Sequence, residues 1–401
     1  MSWHKGERAT VLGGLIIMII SLCYYTISVP VLWDFSTLRS SNGLPLAADY
    51  ATFWSASKLA LSGKPADVYN INELQEVQQQ YLGAHHRNGV GWYYPPPFLL
   101  IVLALGLMPY LISLFIWIIG TLILYLMVLS RISIHPILFP LLLFFPGTYE
   151  NFMFGQNGFL TGTLLGGGLL LLDSYPVAAG CLFALLCYKP QFIILVFPAL
   201  IFGRYWKTLV TALTTSLLML LITIMAFGYH VWIEYFQVMS IPMKQLEIGM
   251  AKWDIMPTFF AAALSAGFGI KTAYLVQGVI MLAVVAGVSW VWCQKTPIAG
   301  RGAVLVLGTL LFTPYATVYD LAILALPLGW LWEEGRIRGR LPGELILLLF
   351  GWLLPIAAPL LWTWINFLNG KLQIGPVIIL ALFCLSLVKA RQAMARDPVS
   401  L

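Results

Sequence analysis

Apolar residues gather along this chain in runs of membrane length, and polar residues collect between them. The runs fall at 11–33, 95–109, 111–129, 135–152, 158–172, 176–202, 206–228, 272–293, 302–318, 321–332, 341–362 and 372–388. Each is continuous instead of alternating, which predicts helices and not barrel strands. Counted as crossings they give about twelve, several of them under about 17 residues. Run 176–202 reads either as one long helix kinked at Pro190 or as two short helices meeting at Lys189–Pro190. The expectation is an all-α polytopic membrane protein, one domain over 1–401. It carries two long outer loops, at 34–92 and 229–257. No inverted internal repeat of the transporter kind is evident.

The stretch LPLAADYATFWSASKLALSG, residues 44–63, fits neither class. It is too polar for a span and too apolar for an ordinary loop. Wound as a helix, it puts Tyr50, Phe53, Trp54, Ser57 and Leu61 on one face, and Thr52, Ser55, Lys58 and Ser62 across much of the other. That predicts an interfacial amphipathic helix lying along the membrane surface. Asp49 heads it, where the helix dipole favours an anion. Asp49 therefore reads both as a helix cap and as a candidate base.

Composition sharpens the class. The 401 residues are 60% hydrophobic and only 9% charged, against about 25% charged in soluble domains. Mean hydropathy is +0.88. Lipid must be the main solvent. The net charge of +6 is gathered in MSWHKGER, GRYWK, EEGRIRGR and KARQAMAR, flanking spans instead of forming a patch. That argues against nucleic acid and, by the positive-inside tendency, for cytoplasmic termini. Run 11–33 lacks a small-residue cleavage site and is expected to be a retained anchor. The five cysteines show no metal or redox spacing and read as small apolar residues.

Polar groups inside the apolar runs are few: Glu150, Asn151, Gln156 and Asn157 in YENFMFGQNGFL, Lys189 and Gln191 in CYKPQF, and Asp320 in TPYATVYDLAIL. Ionisable groups at membrane depth are costly and face an interior site or cavity, or else snorkel to the interface. Lys189 and Asp320 are the strongest functional candidates on that ground. GWYYPPPFLL, residues 91–100, leads out of the first outer loop; its three prolines hold the chain extended and fix Trp92, Tyr93 and Tyr94 at the boundary. An aromatic belt explains the rings but not the triple proline.

Taken in order, D-Y-x-x-F-W-x-A-x-x-L-A-L-x-G, Y-Y-P-P-P-F, G-Q-N-G-F-L, Y-K-P-Q and T-P-Y-x-x-x-Y-D resemble glycosyltransferase family 87, formerly a domain of unknown function. That family includes mycobacterial polyprenyl-phosphomannose-dependent mannosyltransferases. The resemblance covers residues 45–330. It implies a GT-C fold with its active site on the outer face of the bacterial inner membrane. It also implies inverting transfer of a hexose, mannose among the options, from a polyprenyl-phosphate sugar to a lipid or glycan acceptor. The family's acidic residue in the first outer loop maps onto Asp49, as general base. Mycobacterial members place a functional histidine further along; the corresponding region here offers Tyr319 and Asp320 instead.

Such a transfer needs a carboxylate for the acceptor proton and positive charge or donors at the departing phosphate. Asp49 and Asp320 are the candidate catalytic acids. Lys58, Tyr94, Gln156, Lys189, Lys252 and Tyr319 are the candidate substrate-binding residues. His85, His86, Arg87 and Lys244 are further cations in the outer loops, the two histidines reading more simply as solvated. No carboxylate cluster has metal-ligand spacing, so neither metal nor cofactor is expected. Two rival readings are a flippase for a lipid-linked sugar and a non-catalytic subunit of an envelope-polysaccharide complex.

Overall fold

The computed structural model describes residues 45–83, 91–133, 138–250, 253–294, 296–367 and 373–396, with isolated residues at 19, 23, 33–34, 39–40 and 135. Apart from an antiparallel pair of two-residue strands, Trp33–Asp34 with Arg39–Ser40, the described elements are helical. The expected first span at 11–33 lies almost wholly outside the described residues, as do Lys252, His85, His86 and Arg87.

Four described helices are long and apolar enough to cross a bilayer: Tyr110–Ile132, Trp206–Phe227, Ile270–Trp292 and Gly375–Ala395. Between their ends, their outward side chains are mostly apolar. Met225 is 86% exposed and Leu282 74%, which suits lipid and not water. Shorter apolar helices pack among them at Gly158–Leu171, Pro176–Tyr188, Pro190–Phe202, Ile298–Phe312 and Glu344–Ile356.

The helices run between two poles. At one, Tyr110 meets the backbone of Leu46 and Ala47, and Lys189 meets Asp320. At the other, the Ser133 hydroxyl donates to Glu333, Arg301 pairs with Asp173 at 3.0 Å, and Lys389 pairs with Glu344 at 2.7 Å. The 176–202 run resolves as two short helical pieces with the break at Lys189–Pro190. Pro176–Leu185 climbs from the Asp173 pole, a turn at Leu186–Tyr188 follows, and Pro190–Ile193 and Val196–Phe202 descend again toward Tyr205. Proline forces the break, because it disfavours helical geometry at the residue before it; Lys189 sits at φ −125, ψ 79. Gly180 lets the climbing piece press onto Trp206–Phe227, since a Cβ there would stand 2.7 Å from the Thr208 carbonyl.

Run 95–109 is not one long helix. Pro96–Val102 tightens into a 3-10 turn at Leu103–Leu107, twelve residues that rise only about 18 Å as an α-helix. It lies along Ala48–Leu61, where the Ser57 hydroxyl donates to the Leu103 carbonyl at 2.6 Å and accepts from the Gly106 N–H at 2.9 Å. Its side chains are apolar because protein covers them: Phe98, Leu99 and Val102 are fully buried.

Ala48–Leu61 is a helix, as the pattern of 44–63 predicts, but its two-faced exposure is not found. Thr52 and Ser55, assigned to the water-facing side, are as buried as Tyr50 and Phe53. Short residues at Thr52, Ser55, Ala56 and Ser57 let neighbours close over every side. Phe53 sits at the centre of an aromatic cluster, with ring centroids 6.1 Å from Trp92, 5.0 Å from Phe98 and 5.9 Å from Trp117.

Candidate active site

Asp49 is the second residue of Ala48–Leu61, and the backbone around it is tightly specified. Ala47, just before the helix, is held in the left-handed region at φ 54 while the Tyr110 hydroxyl donates to the Leu46 carbonyl. Gly155, at φ +63, ends Pro146–Phe154 against this point; a Cβ there would fall 2.6 Å from that of Tyr50 and 2.9 Å from that of Ala47. Only glycine allows both the backbone turn and the approach.

That approach delivers Gln156 to Asp49. The Gln156 Nε2 donates to one Asp49 carboxylate oxygen at 2.9 Å. Its Oε1 accepts the Asn157 N–H at 3.1 Å and the Tyr94 hydroxyl at 3.3 Å. The backbone donor fixes which end of the amide is which, so the NH2 group must face the carboxylate. Asp49 remains partly exposed, whereas Gln156 is buried. Burial raises the Asp49 carboxyl to about 6; the Gln156 hydrogen bond and the Lys189 charge pull it down, and the Asp320 charge pushes it up.

Lys189 and Asp320 form the buried layer behind. The Lys189 Nζ donates to Asp320 Oδ1 at 2.5 Å, both side chains being about 95% covered. Asp320 Oδ2 accepts the Thr317 N–H at 3.0 Å and the Thr317 hydroxyl at 3.2 Å. Thr317 and Asp320 thus make a capping box on the 3-10 turn Val318–Leu324. Both Asp320 oxygens are occupied, whereas among the described residues one Asp49 oxygen accepts a hydrogen bond, from Gln156. The arrangement suits Asp320 to anchoring and not to taking a proton. Lys189 keeps further N–H donors, with the ring of Tyr319 centred 5.9 Å from its Nζ and that of Phe192 at 5.4 Å.

Of the sequence candidates, the structure thus gathers Asp49, Tyr94, Gln156, Lys189, Tyr319 and Asp320 at one pole. It does not bring Lys58 there. Lys58 lies in the last turn of Ala48–Leu61, nine residues and about 13 Å along the axis from Asp49. Its ammonium rests over Trp54 and Tyr81, 5.0 and 5.5 Å from the ring centres. Lys244 is exposed. Residues that were not among the sequence's site candidates also join the pole. Thr317 was legible through the T-V-Y-D capping spacing. Tyr93, which the triple proline marked only as a boundary aromatic, accepts from the Gln245 amide at 3.5 Å and so ties residue 93 to the 229–257 interval. Asn157 is fully buried and its amide makes no hydrogen bond of ordinary geometry, although the Tyr94 hydroxyl feels it.

The residues that build this pole between Trp92 and Thr313 fall inside a stretch, 92–314, that matches the model of glycosyltransferase family 87. That is more than half of the chain. The chain belongs to glycosyltransferase family 87. No curated protein and no solved structure matches it. Membership makes this apolar helical chain a membrane glycosyltransferase, with a sugar donor and an acceptor as its substrates. The rival readings as a flippase and as a non-catalytic subunit have no support from a family whose members are transferases.

Proposed function

We propose that this family-87 protein moves a hexose from a polyprenyl-phosphate sugar to a lipid or glycan acceptor, inverting the anomeric centre, on the periplasmic face of a bacterial inner membrane. One observation carries the reading: a partly exposed carboxylate, Asp49, one of whose oxygens takes no hydrogen bond among the described residues, lies within electrostatic range of a buried cation, Lys189. Asp49 would accept the acceptor hydroxyl's proton as that oxygen bonds to the anomeric carbon. The bond from that carbon to phosphate breaks on the opposite face, and the phosphate leaves with the electron pair. Lys189 supplies positive charge on the leaving side.

Gln156 orients the base, and Asp320 holds Lys189 in place. Tyr94 and Tyr319, both partly exposed, offer hydroxyls and ring faces to the sugars. The four long apolar helices support a bilayer location, and about twelve crossings remain the proposed total. In that arrangement Ala48–Leu61 lies at the outer membrane boundary, covered by protein and not bare to water. Lys252, in the second outer loop, stays a proposed contact for the donor phosphate.

Asp49→Asn is the direct test. In isolated membranes given a radiolabelled polyprenyl-phosphate hexose, transfer should fall by about 10²- to 10⁴-fold, the usual share of a general base. Unchanged turnover at normal protein levels removes Asp49 from the mechanism.

A further inference from the structure

His230–Val238 is a short helix that follows the crossing helix Trp206–Phe227, and the site described above makes no use of its outer surface. Gly228 turns the chain between the two at φ +79, a conformation that disfavours any side chain. The short helix does not then run off into water. Trp232, in its first turn, donates from its indole N–H to the Thr223 hydroxyl at 3.0 Å. Thr223 stands four residues before Phe227, about 6 Å back along the crossing helix. The short helix is thereby pinned against the end of a segment whose outward Leu221, Ile222 and Met225 suit lipid.

Wound at about 100° per residue, its residues divide into three sectors. Val238, Val231 and Tyr235 pack on the core, and the Tyr235 ring lies against Tyr69 with centroids 6.0 Å apart. Trp232, Phe236 and Ile233 come next around the helix. They are apolar, yet Phe236 is 59% exposed and Ile233 44%. Gln237, His230 and Glu234 complete the circle; the first two are exposed and Glu234 partly so. The two-faced exposure that Ala48–Leu61 lacks is present here.

A helix with one flank on protein, one apolar and one polar belongs at a membrane boundary. Trp232 and the 58% exposed Tyr229 just before the helix are the residue types that settle at headgroup level. Tyr69, beneath Tyr235, donates its hydroxyl to the Tyr94 carbonyl at 2.9 Å, which puts the helix on the Asp49 side of the membrane. A protein partner suits the apolar flank less well. Two half-exposed side chains fall far short of the roughly 800 Å² per partner that a specific interface buries. Lipid against the crossing helix extends over them without a break.

We infer that His230–Val238 is an interfacial helix whose Phe236–Ile233 flank is seated among the acyl chains of the leaflet on the Asp49 side. Its polar flank then faces water. Through Tyr235 and Tyr69 the seated helix fixes the height of the Tyr94 layer above the bilayer.

Photocross-linking tests this. A diazirine-bearing amino acid is placed at Phe236, at Ile233 or, as the water-facing control, at Gln237, in the full chain. The protein is illuminated in proteoliposomes of phosphatidylethanolamine and phosphatidylglycerol, and adducts are read by mass spectrometry. Lipid adducts at Phe236 and Ile233 should exceed those at Gln237 by about fivefold, because acyl chains reach only the apolar flank. Either apolar position suffices should the other variant fail to fold. Equal lipid yields at all positions overturn the inference. So does capture of water, or chiefly of a second copy of the chain, at Phe236. The readout needs no turnover, so this inference and the proposed chemistry fail separately.

Discussion

Asp49 and Gln156, 107 residues apart in the chain, are joined by a 2.9 Å hydrogen bond from the amide NH2 to the carboxylate. Because the Asn157 N–H holds the other end of that amide, the carboxylate is oriented by backbone. Gln156→Ala should lower the turnover number by about tenfold while leaving the fold intact, the loss expected from misplacing a base without removing it. A steady-state comparison with Asp49→Asn, the larger defect, checks the order. An alanine variant as slow as the Asp49 variant would mean that Gln156 does more than orient.

The raised Asp49 carboxyl gives a pH dependence with a definite sign. The base works when ionised and ionises at about 6, so the rate should climb about tenfold per pH unit below 6 and level off above it. Gln156 and Lys189 both favour the ionised form; Gln156→Ala should move the acid limb to higher pH. Initial rates between pH 4.5 and 8 read this directly. An acid limb near the ordinary carboxylate value of about 4 would separate the rate from Asp49.

The same shift links function to stability. A carboxyl that holds its proton more tightly in the folded chain than in the unfolded one stabilises the fold at low pH. That contribution is lost as pH rises through about 6. Asp49→Asn does not ionise, so it should unfold at a higher temperature than wild type at pH 7.5. The difference should shrink toward pH 4. Thermal unfolding in detergent at the two pH values measures it. A variant less stable than wild type at pH 7.5 contradicts the assignment.

Lys189 and Asp320 should behave as a buried pair. Removing one partner strands the other's charge, so Asp320→Ala is expected to cost about 3–5 kcal/mol and to lower expression. The double variant Lys189→Met, Asp320→Leu removes both charges and should regain much of that stability. Its transfer activity should stay low, because the cation at the leaving phosphate is gone. Unfolding curves and transfer assays on the three variants separate the structural role from the chemical one.

Gly180 offers a control away from the chemistry. A methyl there meets the Thr208 backbone carbonyl at 2.7 Å, so Gly180→Ala must push Pro176–Leu185 off Trp206–Phe227. The expected cost is about 1–3 kcal/mol of stability. Fluorescence-detected thermal unfolding would show it.

Sequence by itself determined the solvent and the punctuation of this protein. Runs of uncharged apolar side chains are stable only in lipid or under other protein, which made a helical membrane chain legible from composition and spacing. Proline is equally local in its action, so the break at Lys189–Pro190 was visible as a possibility before any fold was known; of the three prolines expected to hold the chain extended, only Pro95 does, while Pro96 and Pro97 open the helix Pro96–Val102, where a missing N–H costs nothing. The 95–109 run marks where that reasoning stops. An apolar run records that its residues avoid water, not whether lipid or a neighbouring helix covers them; Phe98 and Leu99 lie under the aromatic cluster instead.

Ala48–Leu61 makes the same point from the polar side, since Thr52 and Ser55 are small enough to be packed over. The site's pairings, Asp49 with Gln156 and Lys189 with Asp320 across 131 residues, were decided only by the tertiary structure. They arise where short helical pieces turn back at a shared pole, and that meeting depends on how whole helices pack, which no local run of residues encodes.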